Sequence, residues 1–153
     1  MVIQKSGKSL AIRELLNGTI SSLKTVVPIK NQIEKPRKLV DEIQLQYGVI
    51  IGFAGDVKGN LVFTGESNTF GSIAKAMYGM PLEGEMLESF SGELGNMIAG
   101  TISTNISKSG ADINITPPTV LQGSTKLTGF DQALKLKTNF ENAGDINTYL
   151  LLT

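Results

Sequence analysis

The sequence contains no cysteine and no histidine among its 153 residues. Without cysteine there is no disulfide, no thiolate nucleophile and no thiolate metal site. Without histidine the usual general base, the commonest metal ligand and every His-dependent catalytic triad are excluded. Any catalysis must rest on Asp, Glu, Lys, Tyr or a side-chain amide. An excess of charge of one sign is missing too, because 14 basic residues balance 14 acidic ones. No global field draws a polyanion, so nucleic-acid binding is not expected. No apolar run approaches the roughly 20 residues needed to cross a bilayer. Met1 to Gly7 lacks the charged start and apolar middle of a signal peptide. A cytoplasmic protein without a membrane span is the expectation.

What is present suffices for a core: 153 residues with 41% hydrophobic content are the size of one ordinary domain, 1–153. Ile12, Leu15, Leu16, Thr19, Ile20, Leu23 and Val27 recur at helical spacing and predict an amphipathic helix from about Lys8 to Val27, closed by Pro28. Ile29 to Asp41 carries Lys30, Lys35, Arg37 and Lys38 around Pro36, as a solvated strand or loop edge does. Tyr47 to Ala54 and Asn60 to Thr64 are β-prone runs joined at Gly55 to Gly59 by hairpin residues. Their glycine spacing fits neither phosphate-binding loop pattern.

Glu66 to Tyr78 predicts a short helix with Phe70, Ile73, Ala74 and Met77 inward and Gly79 as its stop. Leu82 to Ser109 holds a longer helix, started by Glu83, Glu85 and Glu88 and stopped by Gly110. Ile113 to Leu121 is extended around Pro117-Pro118, and Gln132 to Phe140 and Ile146 to Leu152 are further strands separated by a turn at Glu141 to Gly144. Hairpin-joined strands predict an antiparallel sheet, hence an α+β fold. Two long helices, each followed by strand pairs, hint at a diverged internal duplication without a residue-level repeat.

At roughly 100° per residue, Phe90, Leu94, Met97, Ile98, Thr101 and Ile102 form one inward stripe of the long helix. Ser89, Glu93, Asn96, Gly100 and Ser103 form a second stripe beside it. Apart from Glu93 and Asn96 that stripe is small, so another protein's backbone could approach closely, with Ser89 and Gly100 as partner-binding positions. Asn96 offers an amide donor and a carbonyl acceptor, enough to orient a water molecule. Glu93, three residues away and therefore adjacent on the helix, could grip a partner's lysine. Glu14 and Asn17 repeat the spacing on the first helix, but Leu10 replaces the small polar residue, and the pair ranks as a vestigial or secondary site. Asp56 and Asp112 fall in turn or loop contexts and read as structural.

Ser89-Phe90-Ser91-Gly92-Glu93-Leu94-Gly95-Asn96 resembles the phosphatase signature of the CheC/CheX/FliY family, in which Asp or Ser is followed by Glu and then Asn. Pro117 or Pro118 meets the signature's later proline, and Ile115 to Gly123 resembles the family's segment after the helix. The single credible motif is most similar to the CheX branch. The resemblance implies long helices packed on an antiparallel sheet and hydrolysis of the aspartyl phosphate on a CheY-type response regulator, within chemotaxis or another two-component system. Its implied roles are lysine-gripping for Glu93 and water orientation for Asn96. It implies no cofactor or metal of the chain's own, since the Mg²⁺ sits in the regulator, and it implies a homodimer. The alternative is a non-catalytic docking or adaptor module of a chemotaxis or flagellar-switch system, using the same face only to bind. A small-molecule hydrolase is disfavoured by the absence of His, Cys and a carboxylate metal motif.

Overall fold

The computed structural model describes residues 3–39 and 42–153. The signal-peptide reading at Met1 and Val2, and the end of the basic stretch at Val40 and Asp41, fall outside the described residues. In chain order the elements are α1 (Ile3–Val26), β1 (Asn31–Ile33), β2 (Arg37–Leu39), β3 (Ile43–Gly55), β4 (Gly59–Gly65), α2 (Ser67–Tyr78), α3 (Gly84–Lys108), β5 (Ile113–Ile115), β6 (Thr119–Leu127), β7 (Gln132–Phe140) and β8 (Gly144–Leu152). The fold is α+β, with the helices on one face of an antiparallel sheet.

The sheet runs β1-β7-β8-β4-β3-β5, with β2 also on β7 and β6 also on β3. All its pairings are antiparallel. On the helix side, Val49, Ile51, Phe53, Leu61 and Phe63 of the central strands meet Leu15 and Leu23 of α1, Phe70 and Ile73 of α2, and Leu94, Ile98 and Ile102 of α3. A smaller apolar cluster of Ile43, Leu45, Val62, Ala133, Tyr149 and Leu151 is separate from this core. The register of β3 against β6 shifts between Leu45 and Tyr47. Over that interval β6 advances three residues against two of β3, a bulge on β6, and across it Ile43 and Leu45 join the smaller cluster while Tyr47 and Val49 face the helices.

The predicted turns hold for stated reasons. Gly79 ends α2 with φ 77° and donates its N–H to the Lys75 carbonyl, a left-handed cap that a side chain would strain. Pro117 and Pro118 separate β5 from β6, because neither can donate to a ladder. Asp56 Oδ2 accepts a 2.8 Å bond from the Asp112 N–H, and the Asp56 N–H bonds the Asp112 carbonyl at 2.9 Å. These two aspartates tie the β3–β4 hairpin to the start of β5, the structural role expected of them.

The hinted duplication is visible in the topology. Exchanging β1, β2, β3 and β4 with β5, β6, β7 and β8 leaves the set of strand pairs unchanged, with β4·β8 at the centre. Aligning Glu14 with Glu93 sets Ala11 on Phe90, Leu15 on Leu94, Thr19 on Ile98, Leu23 on Ile102 and Val27 on Ile106, and every one of these ten residues is buried. The burial pattern persists where the residue identities have diverged, since packing constrains volume and polarity more than sequence.

Candidate functional site

The long helix α3 is buried along one side by Phe90, Ser91, Gly92, Leu94, Gly95, Ile98, Ala99, Ile102 and Ile106. Glu93 projects from the opposite side, with Ser89 and Asn96 exposed beside it and Gly100 half-buried in open space. Those four members of the small polar stripe are therefore where the spacing placed them, whereas Ser103, its last member, is half-buried and donates its hydroxyl to the Ile113 carbonyl of β5 at 3.2 Å. The expected inward stripe needs one correction. Met97 is 38% exposed and lies beside Glu93 rather than in the core. Thr101 is half-buried, with its hydroxyl donated to the Met97 carbonyl. The buried places go instead to Gly95 and Ser91, which carry no hydrophobic signal.

Gly95 allows α3 to sit hard against β3: a Cβ there would lie 2.9 Å from Val49 Cγ1 and 3.4 Å from Ile51 Cδ1. Because Asn96 follows directly, the close approach fixes the height of its side chain over the sheet. Ser91 adds a polar anchor. Its hydroxyl donates to the Leu87 carbonyl at 2.8 Å, leaving its lone pairs to accept the Tyr47 hydroxyl, also at 2.8 Å. Burial pushes the Tyr47 hydroxyl above its ordinary value of 10.0, the bond with Ser91 opposes this, and the charge of Glu88 adds to the rise. Glu88 in turn accepts a hydrogen bond from the Gln122 side chain of β6. Tyr47 and Gln122 were not among the residues singled out in the sequence, because contacts across such separations leave no local pattern.

A Cβ on Gly92 would lie 3.5 Å from Val120 Cγ2 and 3.7 Å from Pro118 Cγ. Gly92 and Asn96 are four apart and thus neighbours on the helix. Pro118, half-buried, therefore walls the flank on which Asn96 stands, whereas Pro117 is exposed. Glu14 is half-buried and Asn17 exposed on α1, at the positions related to Glu93 and Asn96 by the internal symmetry. There Leu10 stands in place of Ser89 and Arg13 in place of Gly92. Among the described residues, no three Asp or Glu side chains cluster closely enough to hold a metal ion, and no helix is long and apolar enough to cross a membrane.

Residues 47–132 match the family model described as Chemotaxis phosphatase CheX, a span holding Ser89, Glu93, Asn96, Gly100, Pro117 and Pro118. A relative from Thermotoga maritima, named CheY-P phosphatase CheX, is 29% identical over 146 residues, covering 91% of this chain and 93% of its own. The crystal structure of a chemotaxis protein CheX from Desulfovibrio desulfuricans matches with a TM-score of 0.79 at 17% identity, over 94% of this chain and 99% of that one. The CheX chain of a CheX-CheY-BeF3-Mg+2 complex from Borrelia burgdorferi matches with a TM-score of 0.75 at 24% identity, over 92% and 96%. The fold is thus the one these proteins share, and with the family model spanning more than half its length, the chain belongs to the chemotaxis phosphatase CheX family.

Proposed function

We propose that this enzyme hydrolyses the aspartyl phosphate of a CheY-type response regulator, with Asn96 orienting the attacking water and Glu93 gripping a lysine of the regulator. One observation carries the reading: Glu93 and Asn96 stand side by side on the exposed side of α3, flanked by Ser89 and an unobstructed Gly100. The family membership and the Thermotoga relative named a CheY-P phosphatase support it, as does the Borrelia complex that pairs a CheX with CheY.

The chemistry asks little of the chain. In an acyl phosphate the water oxygen forms a bond to phosphorus as the bond to the aspartyl oxygen breaks, and the aspartate leaves as a stable carboxylate. Such transfers are governed by positioning and charge stabilisation. An amide whose carbonyl accepts a hydrogen bond from the water and whose NH2 donates toward the phosphoryl oxygens can hold the nucleophile in line without taking its proton, which passes to the phosphate or to solvent. That suits a protein with no histidine. The Mg²⁺ of the reaction is assigned to the regulator. Homodimerisation by sheet extension, also part of this reading, would use the outer strands β1 and β2 or β5 and β6.

The test is the decay of a phosphorylated CheY-type regulator with Mg²⁺, alone, with this protein, and with Asn96→Ala. Wild type should accelerate the decay, and Asn96→Ala should lose roughly 10²-fold or more of that acceleration while still binding the regulator. Glu93→Ala should weaken both binding and turnover. A regulator that binds yet decays at its own rate would replace this reading with the adaptor.

A further inference from the structure

The large hydrophobic side chains exposed among the described residues are gathered in one region. Tyr78 is 57% exposed, Met80 55%, Met86 61% and Met97 38%. Met86 and Met97 lie on α3 itself. Tyr78 ends α2 and stacks edge-on against Phe90, with ring centroids 5.6 Å apart. Phe90 is four residues after Met86 and seven before Met97, so the three aromatic and thioether groups follow one line along the helix. At 1.5 Å per residue, Met86 to Met97 spans roughly 16 Å. Glu93 stands at the edge of that line, while Ser89, Asn96 and Gly100 lie on its other side.

We infer that Met86 and Met97, with Tyr78 between them, form the apolar half of the docking surface for the regulator, and meet apolar side chains bordering its lysine and phosphoryl group. The inference rests on the phosphatase reading of Glu93 and Asn96. A specific complex covers about 800 Å² on each partner, far more than two polar head groups provide. A regulator that delivers a phosphoryl group to Asn96 must spread over the adjoining turns of α3. Met97 follows Asn96 directly, and Met86 is two turns before Glu93, roughly 10 Å away, so both fall inside that footprint. The flank occupied by Ser89 and Gly100 has little apolar surface to bury. Methionine suits the task because its unbranched thioether adapts to an irregular partner surface. Glu93 would then set the register and the methionines the affinity.

The test compares wild type, Met86→Ser/Met97→Ser and Met86→Leu/Met97→Leu in the phosphatase assay, and titrates each against the regulator held in its Mg²⁺–beryllofluoride form. The double serine variant should raise KM and the dissociation constant about tenfold or more while kcat stays within about twofold. The double leucine variant should restore both constants. Exposed substitutions of this kind leave folding nearly unchanged. Wild-type KM and affinity in the serine variant, alongside the loss of turnover in Asn96→Ala, would overturn this inference and leave the phosphatase reading standing. No acceleration by wild type would overturn that reading, and the inference with it. A changed sedimentation behaviour with unchanged KM would assign the patch to a second copy of this chain and likewise overturn the inference.

Discussion

The Tyr47 hydroxyl lies 2.8 Å from the Ser91 hydroxyl in the buried seam between β3 and α3. This bond joins the sheet to the helix that carries Glu93 and Asn96, one turn ahead of Asn96's neighbour Gly95. Ser91 also donates to the Leu87 carbonyl, so both of its hydrogen-bonding functions are used inside the protein.

Tyr47→Phe removes one donor without stranding its partner, because Ser91 keeps the Leu87 carbonyl. The expected cost is about 1 kcal/mol in urea denaturation at neutral pH. The same group sets an alkaline limit. Burial raises the hydroxyl pKa of Tyr47, and also that of Tyr149, above 10.0 in the folded protein. Between pH 10 and the folded value the unfolded chain has already lost the proton that the native state retains, so stability falls as pH rises. The contribution is complete below pH 10 and declines through the folded pKa. Denaturation midpoints followed above pH 10 should fall less steeply in Tyr47→Phe/Tyr149→Phe than in wild type; equal slopes would contradict the assignment.

The helices and hairpins were legible because their signals are local. Gly79 ends α2 and the turn before Gly144 joins β7 to β8, and each is marked by residue types that few other conformations favour. The exposed positions of Glu93 and Asn96 followed from helical spacing alone. Two features had no such signal. Ile43, Leu45, Tyr47 and Val49 alternate without a break, so nothing in the pattern reveals the irregularity that sends the first two to one cluster and the last two to another. Met97 counts as a core residue by hydrophobicity, yet the place beneath the helix is taken by Gly95. Only the approach of Val49, a long-range contact, decides between them.

That approach yields a contrast between two glycines of α3. Gly95→Leu must displace Val49 or lift the helix, and overpacking of this kind costs about 1–3 kcal/mol. Because Asn96 is the next residue, kcat should fall under conditions where the variant remains folded. Gly100→Ala meets nothing within 4 Å and should stabilise the helix by about 0.5–1 kcal/mol. Thermal midpoints moving in opposite directions, with kcat lost in Gly95→Leu, are the expected result. An unchanged kcat in folded Gly95→Leu would remove the positioning role given to the contact with Val49.

The internal symmetry makes Glu14 and Asn17 a control for the motif itself. They have the spacing of Glu93 and Asn96 and the related position on α1, so any activity that followed from spacing alone would appear at both. Their surroundings differ in ways that matter to a docking partner. Leu10 stands in place of Ser89, adding bulk where the second copy is open, and Arg13 stands in place of Gly92. Pro118 packs toward Gly92 on the Asn96 flank, whereas Pro36, which separates β1 from β2 as Pro118 separates β5 from β6, is exposed. The first copy therefore lacks both the cleared approach and the wall beside the amide. Glu14→Ala/Asn17→Ala should keep the wild-type rate of regulator dephosphorylation within about twofold, against the roughly 10²-fold loss expected for Asn96→Ala. A comparable loss in the Glu14 and Asn17 variant would make the first helix a working site, and would show that Leu10 and Arg13 do not obstruct the regulator.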